Sequence, residues 1–213
     1  MERIICLLAG YLCGLIQSGF FYGKLNNIDI RNYGSGNTGT TNALRIMGAK
    51  AGAVVFFGDF LKSLLPCLIV RFLFKDQPEM VYLLILYTGF GVILGHNYPV
   101  YLNFKGGKGI AATAGLIVAV DLRMMLLCLA AFLLIVAVTR YVSLGSLVVA
   151  VIFFVWLFVF GRAGAYGLAP GSLPEFYIAA ALISGQAFWR HRANIGRLVR
   201  GRENKISIGS GKK

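Results

Sequence analysis

The sequence predicts an all-α polytopic membrane protein with about seven transmembrane helices, and three observations carry that expectation. Apolar residues make up 58% of the 213-residue chain and charged residues only 14%, against roughly a quarter charged in ordinary soluble domains. Apolar runs near the ~20 residues that a spanning helix needs recur along the chain. The net charge of +13 collects between alternate runs, as it does in cytoplasmic loops of membrane proteins. A soluble nucleic-acid binder is basic but polar, so no nucleic-acid partner is expected. Cys6, Cys13, Cys67 and Cys128 all fall inside apolar runs without C-x-x-C spacing, so neither a disulfide framework nor a zinc site is readable.

In chain order, the runs cover 4–23, 51–74, 80–102, 110–120, 124–139, 142–160 and 175–189. The first carries Gly10, Gly14 and Gly19 at close-packing intervals and lacks a small-residue cleavage site, so it reads as a retained span. The fourth is short and is expected to be a half-depth helix packed inside protein. With seven crossings, segments 24–50, 103–109, 140–141 and 190–213 share one face and hold fifteen Lys and Arg against Asp29 and Glu203. The opposite face carries Arg3, Arg71, Lys75, Arg123 and Arg162, balanced by Glu2, Asp76, Glu79, Asp121 and Glu175. The basic face is therefore expected in the cytoplasm, with the C-terminus inside and the N-terminus outside. Residues 1–205 form one expected domain, and the Gly-, Ser- and Lys-rich tail 206–213 is expected to fray.

The basic face also holds the candidate chemistry. Residues 34–39 read G-S-G-N-T-G, with Asp59 twenty positions beyond Gly39. A dinucleotide site would need a strand–helix unit here, and membrane spans flank the motif instead, so that reading is rejected. Gly34, Gly36 and Gly39 let backbone N–H groups approach an anion. Ser35, Asn37, Thr38, Thr40, Thr41 and Asn42 would add neutral donors, and Arg45 a charge. Residues 105–109 read K-G-G-K-G, which lacks the Ser or Thr of a Walker loop but supplies a compact phosphate cradle ahead of a helix N-terminus. Arg140, Ser143 and Ser146 open the sixth run, the serines on one helical face. His96 reads as a hydrogen-bonded structural residue. His191 and Asn194, three positions apart, can face one site. Asp59 and Lys62 are spaced to pair across a helical turn inside a span. No metal ligand set is apparent. Several phosphate-capable elements thus meet at one membrane face, which suits an enzyme joining a soluble phosphate compound to a lipid.

Five blocks in order then resemble a known family. They are R-N-Y-G-S-G-N-T-G-T-T-N-A-L-R (31–45), D-F-L-K (59–62), G-H-N-Y-P-V-Y-L-N-F-K-G-G-K-G (95–109), R-Y-V-S-L-G-S (140–146) and R-H-R-A-N-I-G-R-L-V-R-G-R-E (190–203). Together they are similar to the bacterial acyl-phosphate–glycerol-3-phosphate acyltransferases, the PlsY family, over about residues 10–205. The resemblance implies a seven-helix inner-membrane enzyme that moves a fatty acyl group from acyl phosphate to the 1-hydroxyl of glycerol 3-phosphate. It implies essential roles for Ser35 and Arg45. Glycerol phosphate would bind at Lys105, Gly106, Gly107, Lys108 and Gly109. His191 and Asn194 would be functional, and Glu203 mainly structural. The expected partners are acyl phosphate, glycerol 3-phosphate and membrane lipids, with no cofactor and no metal; a monomer is one option, and the oligomeric state is left open by the sequence. The first helix departs from the family, which often reads G-S-I-P where this chain has Gly14-Leu15-Ile16-Gln17. The competing readings are a transporter or channel for a phosphorylated solute, which would call for repeated halves, and a lipid-binding scaffold.

Overall fold

Nine α-helices and three short 3-10 turns, and no strand, make up residues 1–206, the part of the chain described by the computed structural model. The fraying expected of the tail falls on residues outside this range, save Ile206. The helices are α1 (Glu2–Gly14), α2 (Ser18–Leu25), α3 (Thr40–Leu73), α4 (Pro78–Asn97), α5 (Ile110–Val120), α6 (Leu122–Thr139), α7 (Val142–Arg162), α8 (Leu173–Arg190) and α9 (Arg192–Val199). Five segments are long and apolar enough to cross a membrane: Glu2–Leu25, Thr40–Leu73, Pro78–Leu102, Leu122–Thr139 and Val142–Arg162. The apolar α5 is shorter, with 11 residues, and α8 is not among the five.

The two ends differ in charge as the loops predict. At one end Arg3 pairs with Glu175 at 2.6 Å, and Arg123 with Asp121 at 2.8 Å, so charges there are matched. The other end gathers the Lys and Arg of residues 24–50, 103–109 and 190–205, in excess over Asp29 and Glu203, which pair with Arg31 and Arg197.

The core is continuous through α4, α5, α7 and α8, with Leu83, Leu86, Leu116, Ile117, Phe153 and Phe176 buried. The first pass lies backbone to backbone against α4. A methyl group at Gly10 or Gly14 would strike the carbonyls of Thr88 or Val92, and one at Gly91 or Gly95 would strike those of Leu7 or Tyr11. Small residues permit this approach where lipid supplies no hydrophobic drive.

Two departures from the sequence expectations have physical causes. The run 4–23 is not one helix: it breaks at residues 15–17. Gln17 is fully buried there, and its Nε2 reaches the carbonyls of Gly14, Gly95 and His96 while its Oε1 accepts from Thr38 Oγ1. Hydrogen bonding thus stabilises the break, at the position where the related pattern has proline, because the freed carbonyls still find a donor. The polar stretch 24–50 is not all loop, since α3 begins at Thr40 and carries a break at Gly48, whose φ of 85° suits glycine. The short fourth run is α5, which has the expected 11 residues, or about 16 Å of helix; the segment before it buries Gly106, Gly107 and Gly109.

Candidate active site at the basic end of the bundle

A cavity of about 320 Å³ opens at the basic end. Four helix N-termini supply its walls: Thr40 and Thr41 of α3, Ile110 and Ala111 of α5, Val142 and Ser143 of α7, and Asn194 of α9. Each helix start carries unpaired N–H groups and a partial positive charge, so their convergence favours an anion. Arg45, Lys108 and Arg197 add full positive charges, and Glu203 and Asp59 are the acids on the wall. The hydroxyls of Thr40 and Ser143 are buried without a hydrogen-bond partner, and both face this space. On the membrane side Phe56 of α3, Phe132 and Val136 of α6, and Val142 line the cavity. One chamber therefore has a cationic end and an apolar side.

The glycine-rich block 34–39 is held by one side chain. Asn42 Nδ2 donates to the carbonyls of Ile30, Tyr33 and Asn37, and its Oδ1 accepts the Ser35 N–H at 2.9 Å. Asn42 and Thr38, expected as ligand donors, are thus spent on the fold. Gly34 and Gly36 take left-handed backbone, with φ of 60° and 68°, which turns the chain but places neither residue on the cavity wall. Ser35, Asn37, Gly39 and Arg45 do line it.

The block 105–109 is also built differently from the expected cradle. Gly106 N–H donates to Asn97 O and Gly107 N–H to His96 O, so these donors are unavailable to a phosphate. A side chain at Gly107 would strike the His96 imidazole. Glycine is required by packing there. Lys105 is exposed and off the cavity wall, whereas Lys108 and Gly109 line it.

Lys108 Nζ donates to Asn194 Oδ1 at 2.5 Å. Asn194 Nδ2 in turn donates to Glu203 Oε1 at 2.7 Å, and Glu203 Oε2 accepts from Arg197 Nε at 2.9 Å. Burial, together with the charges of Arg197, Arg190 and Arg45, pushes Lys108 down to about 8 although Glu203 opposes the shift. His191 is held near 4 by burial and by the Lys108 charge, so its ring is neutral at pH 7. Its Nδ1 lies 2.8 Å from Ala187 O. A carbonyl only accepts, so Nδ1 carries the proton and Nε2 is left as an acceptor.

Arg140 is off the wall as well. It ends α6 with a φ of 63°, unusual for a side-chain-bearing residue. Its Nε donates to Ile206 O, and its carbonyl accepts from Ile206 N. Arg140 therefore anchors the segment that carries Glu203, Asn204 and Ile206 along the cavity.

Asp59 and His96, which reach the cavity wall, belong to a buried ionic knot. Lys62 Nζ is 2.8 Å from Asp59 Oδ1 and 2.8 Å from His96 Nδ1, and donates to Ile16 O at 2.6 Å. Ser18 Oγ donates to Asp59. All three ammonium protons have partners, as a buried charge requires, and the knot ties the α1–α2 break to α3 and α4.

Comparison with known proteins agrees with this architecture. A glycerol-3-phosphate acyltransferase family model matches residues 4–201. The chain belongs to the glycerol-3-phosphate acyltransferase family. The family's Aquifex aeolicus member is 38% identical over 206 residues, covering 97% of this chain and all of the relative. That of Trichlorobacter lovleyi is 41% identical over 196 residues, covering 92% and 93%. A crystal structure of PlsY, an integral membrane glycerol 3-phosphate acyltransferase in its glycerol 3-phosphate form, is 38% identical. It superposes with a TM-score of 0.83 over 97% of this chain and 96% of that one. The lysophosphatidic acid form gives 0.81 at 37% identity.

Sequence reasoning left several cavity residues without a role. Arg197 carries a spacing cue, since it follows Asn194 by three positions on α9. The apolar wall from Phe56, Phe132 and Val136 had none, because those residues are indistinguishable from lipid-facing ones in sequence.

Proposed function

We propose that this chain transfers a fatty acyl group from acyl phosphate to the 1-hydroxyl of glycerol 3-phosphate, at the cytoplasmic face of the bacterial inner membrane. What supports the reading most is a single chamber with cationic helix N-termini at one end and an apolar side toward the lipid. It suits one anionic soluble substrate and one amphiphile. The positive-inside rule supports placing the basic end and the C-terminus in the cytoplasm.

Lys108, Arg45 and Arg197, with the Thr40 and Ser143 hydroxyls and the helix N-termini, hold the two phosphates. Ser35 and Asn37 lie at the mouth, beside the acyl-phosphate end. Asn194, fixed between Lys108 and Glu203, keeps the Lys108 ammonium in place. His191, set by spacing beside Asn194, is a candidate to orient a phosphate. Its free acceptor fits the glycerol hydroxyl better, because a lone pair repels a dianion and accepts from O–H.

The hydroxyl oxygen attacks the acyl carbon, the bond between acyl carbon and phosphate oxygen breaks, and inorganic phosphate leaves. The hydroxyl proton goes to the departing phosphate, whose bridging oxygen becomes strongly basic as its bond to the acyl carbon breaks. His191, near 4, is a weak base, so the leaving group itself is the better acceptor. Helix N-termini and cations stabilise charge at the carbonyl and on the leaving phosphate, and alignment supplies much of the rate.

The test is release of inorganic phosphate by purified, detergent-solubilised protein given palmitoyl phosphate and glycerol 3-phosphate, with palmitoyl-CoA in a parallel reaction. Release that needs both substrates, with lysophosphatidate formed and no turnover from the thioester, is expected. No product from folded protein refutes the assignment. Turnover with palmitoyl-CoA refutes the donor.

A further inference from the structure

We infer that Arg190 is a positioning residue for glycerol 3-phosphate binding, acting on Lys108 through the backbone of Gly106 and Gly107. The inference deepens the proposed function and rests on Lys108 as a phosphate ligand.

Arg190 is the last residue of α8 and is not itself a lining residue of the cavity. Its Nε donates to Gly107 O at 3.0 Å, and its Nη2 to Gly106 O at 3.0 Å and Gly107 O at 2.6 Å. From the other side, the N–H groups of the same two glycines are bound by Asn97 O and His96 O at 3.2 and 3.1 Å. All four polar groups of these two glycine residues are therefore engaged. Two glycines in succession are the most freely rotating dipeptide the chain can offer, yet this one is fixed above and below. The next residue is Lys108, whose Cα inherits that fixed geometry.

Arg190 is itself built in. Its guanidinium lies over the Tyr98 ring at 5.1 Å. The Tyr98 hydroxyl accepts from Gln186 Nε2 at 2.9 Å, and the Tyr98 carbonyl accepts from the Tyr11 hydroxyl. No carboxylate pairs with Arg190 among the described residues. A planar fork can bridge two adjacent carbonyls, which a lysine ammonium on a single flexible stem does poorly. Held this way, Lys108 Nζ reaches Asn194 Oδ1 and the cavity. Without it, Lys108 must be ordered by the substrate, and that cost appears as weaker binding.

The experiment is a double-mutant cycle read by steady-state kinetics on full-length protein in detergent. The variants are Arg190→Gln, Arg190→Lys, Lys108→Ala and the Arg190→Gln/Lys108→Ala pair, with thermal melting as the folding check. Arg190→Gln is expected to raise the KM for glycerol 3-phosphate about tenfold, and to leave that for palmitoyl phosphate within about twofold. Arg190→Lys should fall between it and the parent. In the Lys108→Ala background, Arg190→Gln should change the KM less than about twofold, because the residue it positions is gone. Equal KM effects in both backgrounds, or parallel rises for both substrates, overturn the inference. If Lys108→Ala raises the KM and Arg190→Gln does not, the inference fails and the Lys108 assignment stands. If Lys108→Ala leaves the KM unchanged, the Lys108 assignment falls and takes the inference with it. Should Arg190→Gln not fold, Tyr98→Leu, which removes the ring beneath the guanidinium, must produce the same selective rise.

Discussion

The depressed basicity of Lys108 predicts how activity depends on pH. The buried ammonium loses its proton near pH 8 instead of near its usual 10.5, because burial and neighbouring arginines outweigh the pull of Glu203. Only the charged form attracts phosphate, so productive free enzyme is lost as pH rises through about 8. By simple titration roughly nine-tenths is competent at pH 7, half at pH 8 and about one-eleventh at pH 9. The kcat/KM for glycerol 3-phosphate, which reports the free enzyme, should therefore fall about tenfold per unit above pH 8.5. A lower limb is expected near pH ~6, where the substrate's second phosphate proton returns. The assay is phosphate release at saturating palmitoyl phosphate from pH 6 to 9.5. Lys108→Arg supplies the control, since guanidinium stays charged throughout and its profile should lack the alkaline limb. A parent profile flat to pH 9.5, or the same break in Lys108→Arg, would refute the argument.

Ser143→Ala should leave the melting temperature unchanged, because a buried hydroxyl without a partner contributes nothing to the free fold. It should lower kcat/KM about ten- to a hundredfold, the worth of one hydrogen bond to a charged group. Full activity in this variant would remove Ser143 from the site. Glu203→Ala strips the acceptor from Asn194 and Arg197, whose carboxylate is only 5% exposed. It should cost about 2–3 kcal/mol of stability, visible as earlier thermal denaturation in detergent, and no change in melting would contradict the ion-pair argument. Gly107→Ala should abolish activity in protein that still inserts, because its methyl group displaces either the loop or His96. Normal kinetics would show that the loop has slack.

The sequence disclosed the polar organisation of this molecule better than its details. Loop charge separates the ends of the bundle because topology is a sum over many Lys and Arg residues and survives local error. Ser35, Arg45, Lys108, His191 and Asn194 are chemically conspicuous, and they do meet around one cavity. What was illegible is which groups are already spent. Asn42 and Thr38 look like ligand donors until the carbonyls they satisfy are located, and Gly106 looks like a phosphate nest until its N–H is found on Asn97. Arg190 acts across 83 positions of sequence, a juxtaposition that no local spacing records. The break at Gln17 was hidden for a related reason. Hydropathy averages over a window, and one buried amide in an apolar run barely moves the mean.

The order in which the site's residues occur along the chain carries a consequence for biosynthesis. Arg45, Lys108 and Ser143 enter the membrane with the helices that bear them. The cluster that organises Lys108 comes from Asn194, Arg197 and Glu203, after the last crossing, and Ile206 closes against Arg140. A ribosome must therefore deliver every span before a working chamber exists. A nascent or prematurely terminated chain can insert its five long apolar segments and still have no competent centre. Synthesis of the protein and onset of its activity are thereby separated in time, so an incomplete copy has no means of consuming an acyl donor.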